Sequence, residues 1–408
     1  MNILFVTPYL PYPPVSGGRL QTFLRINYLK KRGHSVFLMT LARTGEYNYV
    51  VELKNYLDEV ECIYREPDFT KVRYLFRKNL LHEIFTHDRR FGEKLRSFAD
   101  SKKVDISLFE GLGVAQYRDF IPHVPSALYE HNVEYEITEQ LVSNLRKSPL
   151  KVLKGKMDEK MRNCYLYLFG EREIKLVRKF EVNSLRKFGL FITCSQRDAH
   201  ILERDTKETP HIVIPWCIEM PVEFNKPQEK DIYSLVFVGS MEWEPNRDAI
   251  KWFLKEIFPL IKKKIKNIKL LIVGSFMSED VQRLDNKKDI LVKGFVPDIS
   301  EVFREADIFI APVRLGSGVN VKVIEAMSYG VPVITTSKGA EGIEALHGEH
   351  FLIVNTPEEF TDTIKYLLDN KETRKMLGMN AREYISKYHE ADKVIELLEN
   401  ILYGYCRR

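Results

Sequence analysis

Short apolar runs of strand length alternate with longer amphipathic segments along this chain. Most of the runs are continuous rather than alternating, which is typical of strands buried on both faces of a sheet. In the first half the predicted strands are Ile3–Thr7, Ser35–Leu41, Val60–Tyr64, Asp105–Phe109, Ser126–Tyr129 and Leu190–Thr193. In the second half they are Ser234–Val238, Lys269–Val273, Ile290–Val292, Ile308–Ala311, Val331–Thr335 and Phe351–Val354. This order predicts βαβ units, and therefore an α/β fold with parallel sheets.

The segments between the predicted strands have the periodicity of helices. The segment Arg19–Lys31 ends before Gly33, and its predicted apolar stripe consists of Leu20, Phe23, Leu24, Tyr28 and Leu29. A last helix is predicted from about Ala391 to Leu402.

The alternation breaks once, where two prolines and a polar run predict a linker. We therefore predict a first Rossmann-like domain at 1–217, a linker at 218–232, a second Rossmann-like domain at 233–385 and a helical segment at 386–408. Open parallel sheets bind ligands beyond the carboxyl ends of their strands. Two such domains facing a central cleft would suit chemistry that must exclude water.

Composition narrows the class of protein. Hydrophobic residues make up 44% of the 408 residues and charged residues 29%, which is ordinary for a globular protein. No apolar run approaches the roughly 20 residues that span a bilayer, and the amino terminus does not read as a signal peptide. The five cysteines are scattered, without a CxxC pair, which argues against a disulfide framework or a zinc site. We expect a cytoplasmic protein.

The net charge of +5 is unevenly distributed. Residues 151–190 hold eleven Lys/Arg against five Asp/Glu. Such a stretch can face the anionic inner surface of a membrane. A solvated helical face is the alternative, and the one we favour. No nucleic-acid-binding motif accompanies the charge, so nucleic acid is a poor candidate partner.

Polar or glycine-rich segments follow several predicted strands. Gly17-Gly18 opens a helix after the first strand, where backbone N–H groups could bind an anion. His131-Asn132 follows the fifth strand, and a histidine there could hydrogen-bond sugar hydroxyls. The segment from Gly239 to Asn246 repeats the glycine-loop-helix arrangement, and we expect its Trp243 to be a core residue rather than a stacking surface. Plain turns are the alternative for each segment.

The loop between Ile308–Ala311 and the next helix gives the strongest signal. It is rich in glycine, polar, and runs into a helix start, which predicts an anion site. Lys322 in the first turn could neutralise a diphosphate, because the helix dipole alone would disfavour a cation there. Glu325 could accept two hydroxyls, as from a ribose. A capped turn with solvated charges is the alternative.

These motifs together resemble the retaining glycosyltransferases of the GT-B fold, family four, over nearly the whole chain. The resemblance is carried by Gly17-Gly18 with Lys30–Val36, His131-Asn132, Thr193–Ser195, Ile214-Pro215, Gly294–Asp298, Ala306–Pro312 and Glu325–Ile334. It implies a donor nucleotide on the second domain, a last helix that returns to the first, and transfer that retains the anomeric configuration without a metal or a cofactor. The partners would be a nucleotide-diphosphate sugar and a glycan, lipid-linked or small-molecule acceptor.

The resemblance also implies roles for individual residues. The predicted catalytic residues are His131, which would touch the transferred sugar, Lys322, and Glu325, which would hold the ribose. The predicted donor-binding residues are Gly17, Gly18, Asn132, Gly239, Ser240, Asn246, Val296 (beside the base), Arg314, Ser317, Gly318, Val319 and Asn320.

Two departures from the family pattern bear on the donor. The family often has a glutamate eight residues before the ribose-binding one, and Ser317 stands at that position. It often has an Arg and a Lys in the loop after the strand that ends at Gly239, where this chain has Ser240 and about Pro245. We hypothesise that Lys322 supplies the missing charge, with Arg314 or Arg247. The alternatives are a non-catalytic GT-B scaffold or regulatory subunit of a glycan-assembly complex, and a sugar-nucleotide epimerase of the same fold.

Overall fold

The computed structural model describes residues 1–64, 88–147, 149, 152, 157–207, 209–222, 231–277 and 279–407. The chain divides into two compact units. Unit 1 consists of Met1–Pro14, Gly18–Ile214 and Ile395–Arg408, and unit 2 of Val15–Gly17 and Pro215–Val394. Residues 223–230 of the predicted linker lie outside the described residues.

Unit 1 is built on a parallel sheet. Its described strands are β1 (Asn2–Thr7), β2 (Ser35–Ala42), β3 (Glu59–Tyr64), β4 (Ile106–Glu110), β5 (Ser126–Glu130), β6 (Leu190–Thr193) and β7 (His211–Val213), in the spatial order β3-β2-β1-β4-β5-β6-β7. The predicted strands are confirmed to within two residues. The prediction missed β7, a strand of three half-buried residues at the sheet edge, which is too short to show a hydrophobic pattern.

Helices cover the sheet of unit 1. Within the described ranges they are Gly17–Lys31, Tyr47–Leu53, Arg89–Lys102, Leu112–Ala115, Glu134–Lys147, Met157–Lys187 and Gln196–Thr206, with 3-10 turns at Thr44–Glu46 and Arg118–Phe120. Strands β1, β4 and β5 bury nearly every side chain, because helices pack on both faces of a parallel sheet.

The apolar stripe predicted for the first helix is wrong in part. Leu24 and Leu29 are buried, but Leu20, Phe23 and Tyr28 are only half-buried. The buried face instead includes the polar residues Gln21, Thr22 and Arg25. Thr22 and Arg25 both hydrogen-bond Glu110, a buried carboxylate at the end of β4. This polar contact within unit 1 therefore determines which face of the helix points inward.

Unit 2 contains a second parallel sheet. Its described strands are β8 (Tyr233–Val238), β9 (Ile268–Val273), β10 (Ile290–Lys293), β11 (Ile308–Ala311), β12 (Val333–Thr335) and β13 (Leu352–Ile353), in the order β10-β9-β8-β11-β12-β13. The described helices are Glu244–Trp252, Phe258–Lys264, Glu279–Gln282, Ser300–Glu305, Val321–Ser328, Pro357–Asp369, Lys371–Tyr388 and Ala391–Cys406, with a π-helical turn at Phe253–Ile257.

The last helix continues from unit 2 into unit 1, since residues from Ile395 onward belong to unit 1. Glu399 accepts hydrogen bonds from Arg32 Nε and His34 Nε2, each at 2.7 Å. The predicted return of the C-terminal helix to the first domain is confirmed. Across the described ranges, no helix is both long enough and apolar enough to span a bilayer.

Candidate functional site

In unit 1 the site forms at the carboxyl ends of β4 and β5. The two strands pair with Glu110 directly opposite Tyr129. Side chains alternate along a strand, so His131, two residues after Tyr129, lies on the same side as Glu110. The pairing register therefore brings the predicted sugar-binding histidine next to a carboxylate that is 0% exposed.

Glu110 is the centre of a buried charge network. His131 Nε2 lies 2.8 Å from Glu110 Oε2. Arg25 donates to both carboxylate oxygens, from Nε at 3.2 Å and from Nη2 at 2.5 Å. Burial by itself raises the pKa of the Glu110 carboxyl, but Arg25 and His131 outweigh it and hold that pKa below its ordinary value. The carboxylate is therefore charged at neutral pH.

Gly18, near the start of the first helix, lies beside this network. The helix begins at Gly17, and a Cβ added to Gly18 would lie 3.4 Å from His131 Nδ1. Asn132 follows His131 directly and is half-buried. The structure thus brings Gly18 and His131 together.

In unit 2 the loop between β11 and the helix Val321–Ser328 depends on two glycines. Gly316 has φ +114° and Gly318 has φ +76°, a region that side chains other than glycine rarely adopt. Ser317 stands half-buried between them, and Val319 is buried. Asn320 Nδ2 donates to the carbonyl of Gly339 at 3.1 Å, which ties the end of the loop to the rest of the unit.

Lys322 and Glu325 lie three residues apart, on one face of that helix, and both are half-buried. Lys322 Nζ donates to Asn246 Oδ1. The amide of Asn246 donates in turn to the carbonyl of Ser240 at 2.8 Å, next to Gly239. The predicted catalytic residue Lys322 therefore forms one continuous group with three predicted donor-binding residues, Asn246, Ser240 and Gly239.

Burial shifts both of these ionisable groups toward neutrality. It lowers the pKa of the Lys322 ammonium to about 7 and raises the pKa of the Glu325 carboxyl to about 7. Among the described residues, no ion pair involves either side chain. A bound anion and bound hydroxyls would offset this cost.

Comparisons with known proteins show what the chain is similar to. Residues 233–370 match the family model Glycosyl transferases group 1. The whole fold is similar to that of HepE from Anabaena, solved in complex with UDP and glucose, with a TM-score of 0.68, 14% identity and 99% of each chain covered. The match to the group 1 family is thus shown for residues 233–370, and the chain as a whole is a glycosyltransferase with the GT-B fold.

Two curated relatives extend this result. This glycosyltransferase is 26% identical, over 410 aligned positions, to a Klebsiella pneumoniae protein described as an uncharacterized 44.6 kDa protein in a cps region, with 96% of this chain and 97% of that protein covered. It is also 26% identical to the capsular polysaccharide biosynthesis glycosyltransferase CapM of Staphylococcus aureus, over 36% of this chain and 41% of CapM.

The two arginines considered as partners of Lys322 are engaged within unit 2. Arg314 makes two 3.0 Å hydrogen bonds with Asp248, and its guanidinium carbon lies 4.7 Å from the centre of the Trp252 ring. Arg247 donates to Glu244 at 2.7 Å. Both guanidinium charges are therefore already paired within unit 2.

The expectation that Trp243 is a core residue is wrong. Its side chain is 47% exposed, at the start of the helix after β8. Phe276 and Phe295, which follow β9 and β10, are also exposed. Because β8, β9 and β10 are neighbours, the three aromatic residues follow the same edge of the sheet. Val296, the predicted neighbour of the base, is half-buried beside Phe295.

Sequence reasoning missed Glu110 and Arg25. A signal for Glu110 was present, since a charged residue directly follows the apolar run Ile106–Phe109 and precedes Gly111. Arg25 had no comparable signal, because a lone arginine in an amphipathic helix is normally solvated.

Proposed function

We propose that this glycosyltransferase moves a sugar from a nucleoside-diphosphate sugar to a glycan or lipid-linked acceptor, retaining the anomeric configuration and using no metal ion. The observation that carries the proposal is the group formed by Asn246, Lys322 and Glu325 after the glycine loop of unit 2. It combines a cation, a carboxylate and the start of a helix within one short segment.

Each member of the group has a chemical role. Lys322 and the backbone N–H groups at the start of the helix would stabilise the charge that develops on the leaving diphosphate. Glu325 would accept hydrogen bonds from the ribose hydroxyls. His131 in unit 1 would contact the transferred sugar. The leaving phosphate would take the proton of the acceptor hydroxyl, so that the protein need not supply a separate base on that side.

The comparisons suggest a first choice of donor and acceptor. HepE was solved with UDP and glucose, which makes a UDP-hexose the first donor to test. CapM is named for capsular polysaccharide biosynthesis, which favours a growing glycan as the acceptor. Ser317 stands where the family often has a glutamate that contacts sugar hydroxyls, so the sugar of the donor is the first variable to screen.

The proposal includes a cytoplasmic location with peripheral contact to the inner face of a membrane. On the helix Met157–Lys187, Tyr167, Leu168 and Phe169 are exposed, and the exposed Arg172 and Lys175 follow one and two turns later. Exposed aromatic and basic residues suit an anionic bilayer surface. Tyr165 and Leu166 are buried, so they take no part in such a surface.

Sedimentation with vesicles of anionic lipid at low salt tests the contact. We expect binding that falls with added salt and in the Leu168→Glu variant, while Leu397→Glu, a change at an exposed leucine of the last helix, serves as the control. Equal binding to neutral vesicles, or none to anionic ones, would remove the membrane from the proposal.

A donor screen tests the reaction itself. Purified protein is incubated with UDP-, GDP-, ADP- and dTDP-sugars, with and without EDTA, and nucleotide release is followed. We expect slow release from one donor that EDTA does not change, and an NMR spectrum of the transfer product with the anomeric configuration of the donor. An inverted product would contradict retention. Tight donor binding without release, even with candidate acceptors, would favour the non-catalytic scaffold.

A further inference from the structure

We propose that Glu110 is a positioning residue for His131, which it holds in one ring orientation and one tautomer so that Nδ1 faces Gly18. The inference rests on the proposed contact between His131 and the transferred sugar. Nothing in the family resemblance points to Glu110 or to its partner Arg25, and both come from the packing of unit 1.

The contacts of the His131 ring determine its orientation and its tautomer. Glu110 Oε2 lies 2.8 Å from His131 Nε2, and the donor Arg25 Nη2 lies farther from that nitrogen, at 3.3 Å. Because a carboxylate only accepts hydrogen bonds, the shorter contact requires a hydrogen on Nε2. A ring flipped by 180° would turn a C–H toward the carboxylate and lose this bond. The neutral imidazole is therefore the Nε2–H tautomer, and Nδ1 is its acceptor.

The carboxylate itself is held in place. Arg25 binds both of its oxygens, and Thr22 Oγ1 lies 3.3 Å from Oε2. The guanidinium carbon of Arg25 lies 3.9 Å from the centre of the Tyr129 ring, which fixes the arginine from the other side. Glu110 and Arg25 are 0% and 2% exposed, so neither can exchange its partner for water without opening the core.

Nδ1 consequently faces the glycine loop. A Cβ at Gly18 would lie 3.4 Å from Nδ1 and 2.7 Å from the Tyr9 hydroxyl, so the glycine keeps the space beside the ring open. In the Nε2–H tautomer, Nδ1 can accept a hydrogen bond from a sugar hydroxyl. The other tautomer would present an N–H to that hydroxyl and reverse the direction of the bond.

If Glu110 only formed a structural ion pair with Arg25, its substitution would have different effects. Arg25 and Glu110 form a complete pair without the histidine, so a structural role predicts that changes at Glu110 affect stability alone. A positioning role predicts in addition a change in the tautomer of His131, and a loss of turnover that exceeds any loss of nucleotide binding, because the proposed nucleotide contacts lie in unit 2.

Nitrogen-15 NMR of the histidine rings in the full-length protein measures the tautomer without requiring activity, with the His131→Asn variant identifying the resonances. We expect the Nε2–H form in the wild type and a mixture of tautomers in Glu110→Gln. In the same variant we expect kcat for sugar transfer to fall on the order of 10- to 100-fold, with the Kd for the nucleotide changed by less than about twofold. Glu110→Asp should recover part of the loss.

Glu173→Gln is the matched control, because Glu173 is a buried carboxylate of unit 1 that accepts a hydrogen bond from Tyr165 at 2.8 Å. It should leave the His131 signals and kcat unchanged. If Glu110→Gln does not fold, the double variant Arg25→Gln/Glu110→Gln removes both buried charges together, and the wild-type spectrum still decides the tautomer.

An Nδ1–H wild type, or a Glu110→Gln variant with unchanged tautomer and kcat, would overturn the proposal. Failure of the proposed function has a different signature, in which no nucleotide sugar is turned over by the wild type while the His131 signals respond to Glu110→Gln as expected.

Discussion

The candidate site in unit 1 and the candidate site in unit 2 differ in how their charged groups are paired. In unit 1 the charges of Arg25 and Glu110 are paired inside the protein, and His131 is bonded to the pair. In unit 2 the ammonium of Lys322 is bonded to the neutral amide of Asn246, and burial moves the pKa of Lys322 and the pKa of Glu325 to about 7.

This difference indicates that the two units have different roles. A fully paired network holds a side chain in one orientation but has no net charge to offer a ligand. A lysine and a glutamate whose charged forms are disfavoured in the free protein gain most when a ligand supplies the opposite charge or the hydroxyl groups. We therefore expect unit 1 to contribute orientation and unit 2 to contribute charge, and four predictions follow in order of expected effect.

Lys322→Met should have the largest effect, because it removes the cation proposed to face the leaving diphosphate. We expect kcat/KM for transfer or donor hydrolysis to fall about 10²- to 10³-fold, as for the loss of one transition-state donor. Lys365→Met is the control, since Lys365 is half-exposed and pairs with Asp369 on the same helix. Full activity in Lys322→Met would remove the charge-supplying role from unit 2.

Glu325→Gln should weaken donor binding rather than chemistry. Hydrogen bonds to a charged group contribute about 1.5–3 kcal/mol, so we expect the Kd for the nucleotide to rise on the order of 10- to 100-fold. Isothermal titration measures it, with Glu396→Gln, at an exposed position on the last helix, as the control. A variant that loses kcat while it keeps its affinity would contradict a ribose contact.

The affinity for the nucleotide sugar should be greatest near pH 7. Lys322, with its pKa lowered to about 7, is charged below that pH, so affinity for the anionic diphosphate should fall as pH rises above 7. Glu325, with its pKa raised to about 7, is charged above that pH, so affinity should fall as pH drops below 7. Each limb should approach a tenfold change per pH unit.

Titrations of the intact nucleotide sugar from pH 5.5 to 8.5 test this profile, since the intact sugar lacks the terminal phosphate that titrates near neutrality. Lys322→Met should remove the alkaline limb and Glu325→Gln the acidic one. A flat profile in the wild type would show that these two groups do not contribute charge to binding.

Gly318→Ala should have the smallest effect, on stability. Alanine at φ +76° costs about 1–2 kcal/mol, which should lower the thermal midpoint by a few degrees and the donor affinity with it. Gly404→Ala, within the last helix and with no atom near the added methyl, should leave the midpoint unchanged or raise it. Equal midpoints in the two variants would mean that the loop tolerates alanine by rearranging.

Much of the fold could be predicted because its signals are local. Continuous apolar runs identified all the described strands except β7, and glycine-rich segments after strands identified the loops around Gly18, Gly239 and Gly318. The sequence analysis placed Asn246 and Lys322 in one predicted donor site, but it did not predict the hydrogen bond between them, because the two residues lie 76 positions apart.

The sequence by itself determined the order of strands and helices, the two parallel sheets and the turns where a ligand can approach, because burial on both faces and positive φ angles restrict residue type position by position. The tertiary structure alone decided the electrostatics of the site. Arg25 and Glu110 are 85 positions apart, and Trp243 is exposed although its size and apolar ring suggested the core. The partner of a charged side chain and the surroundings of an aromatic ring depend on which segments pack beside them in the folded unit. A local sequence pattern does not contain that information.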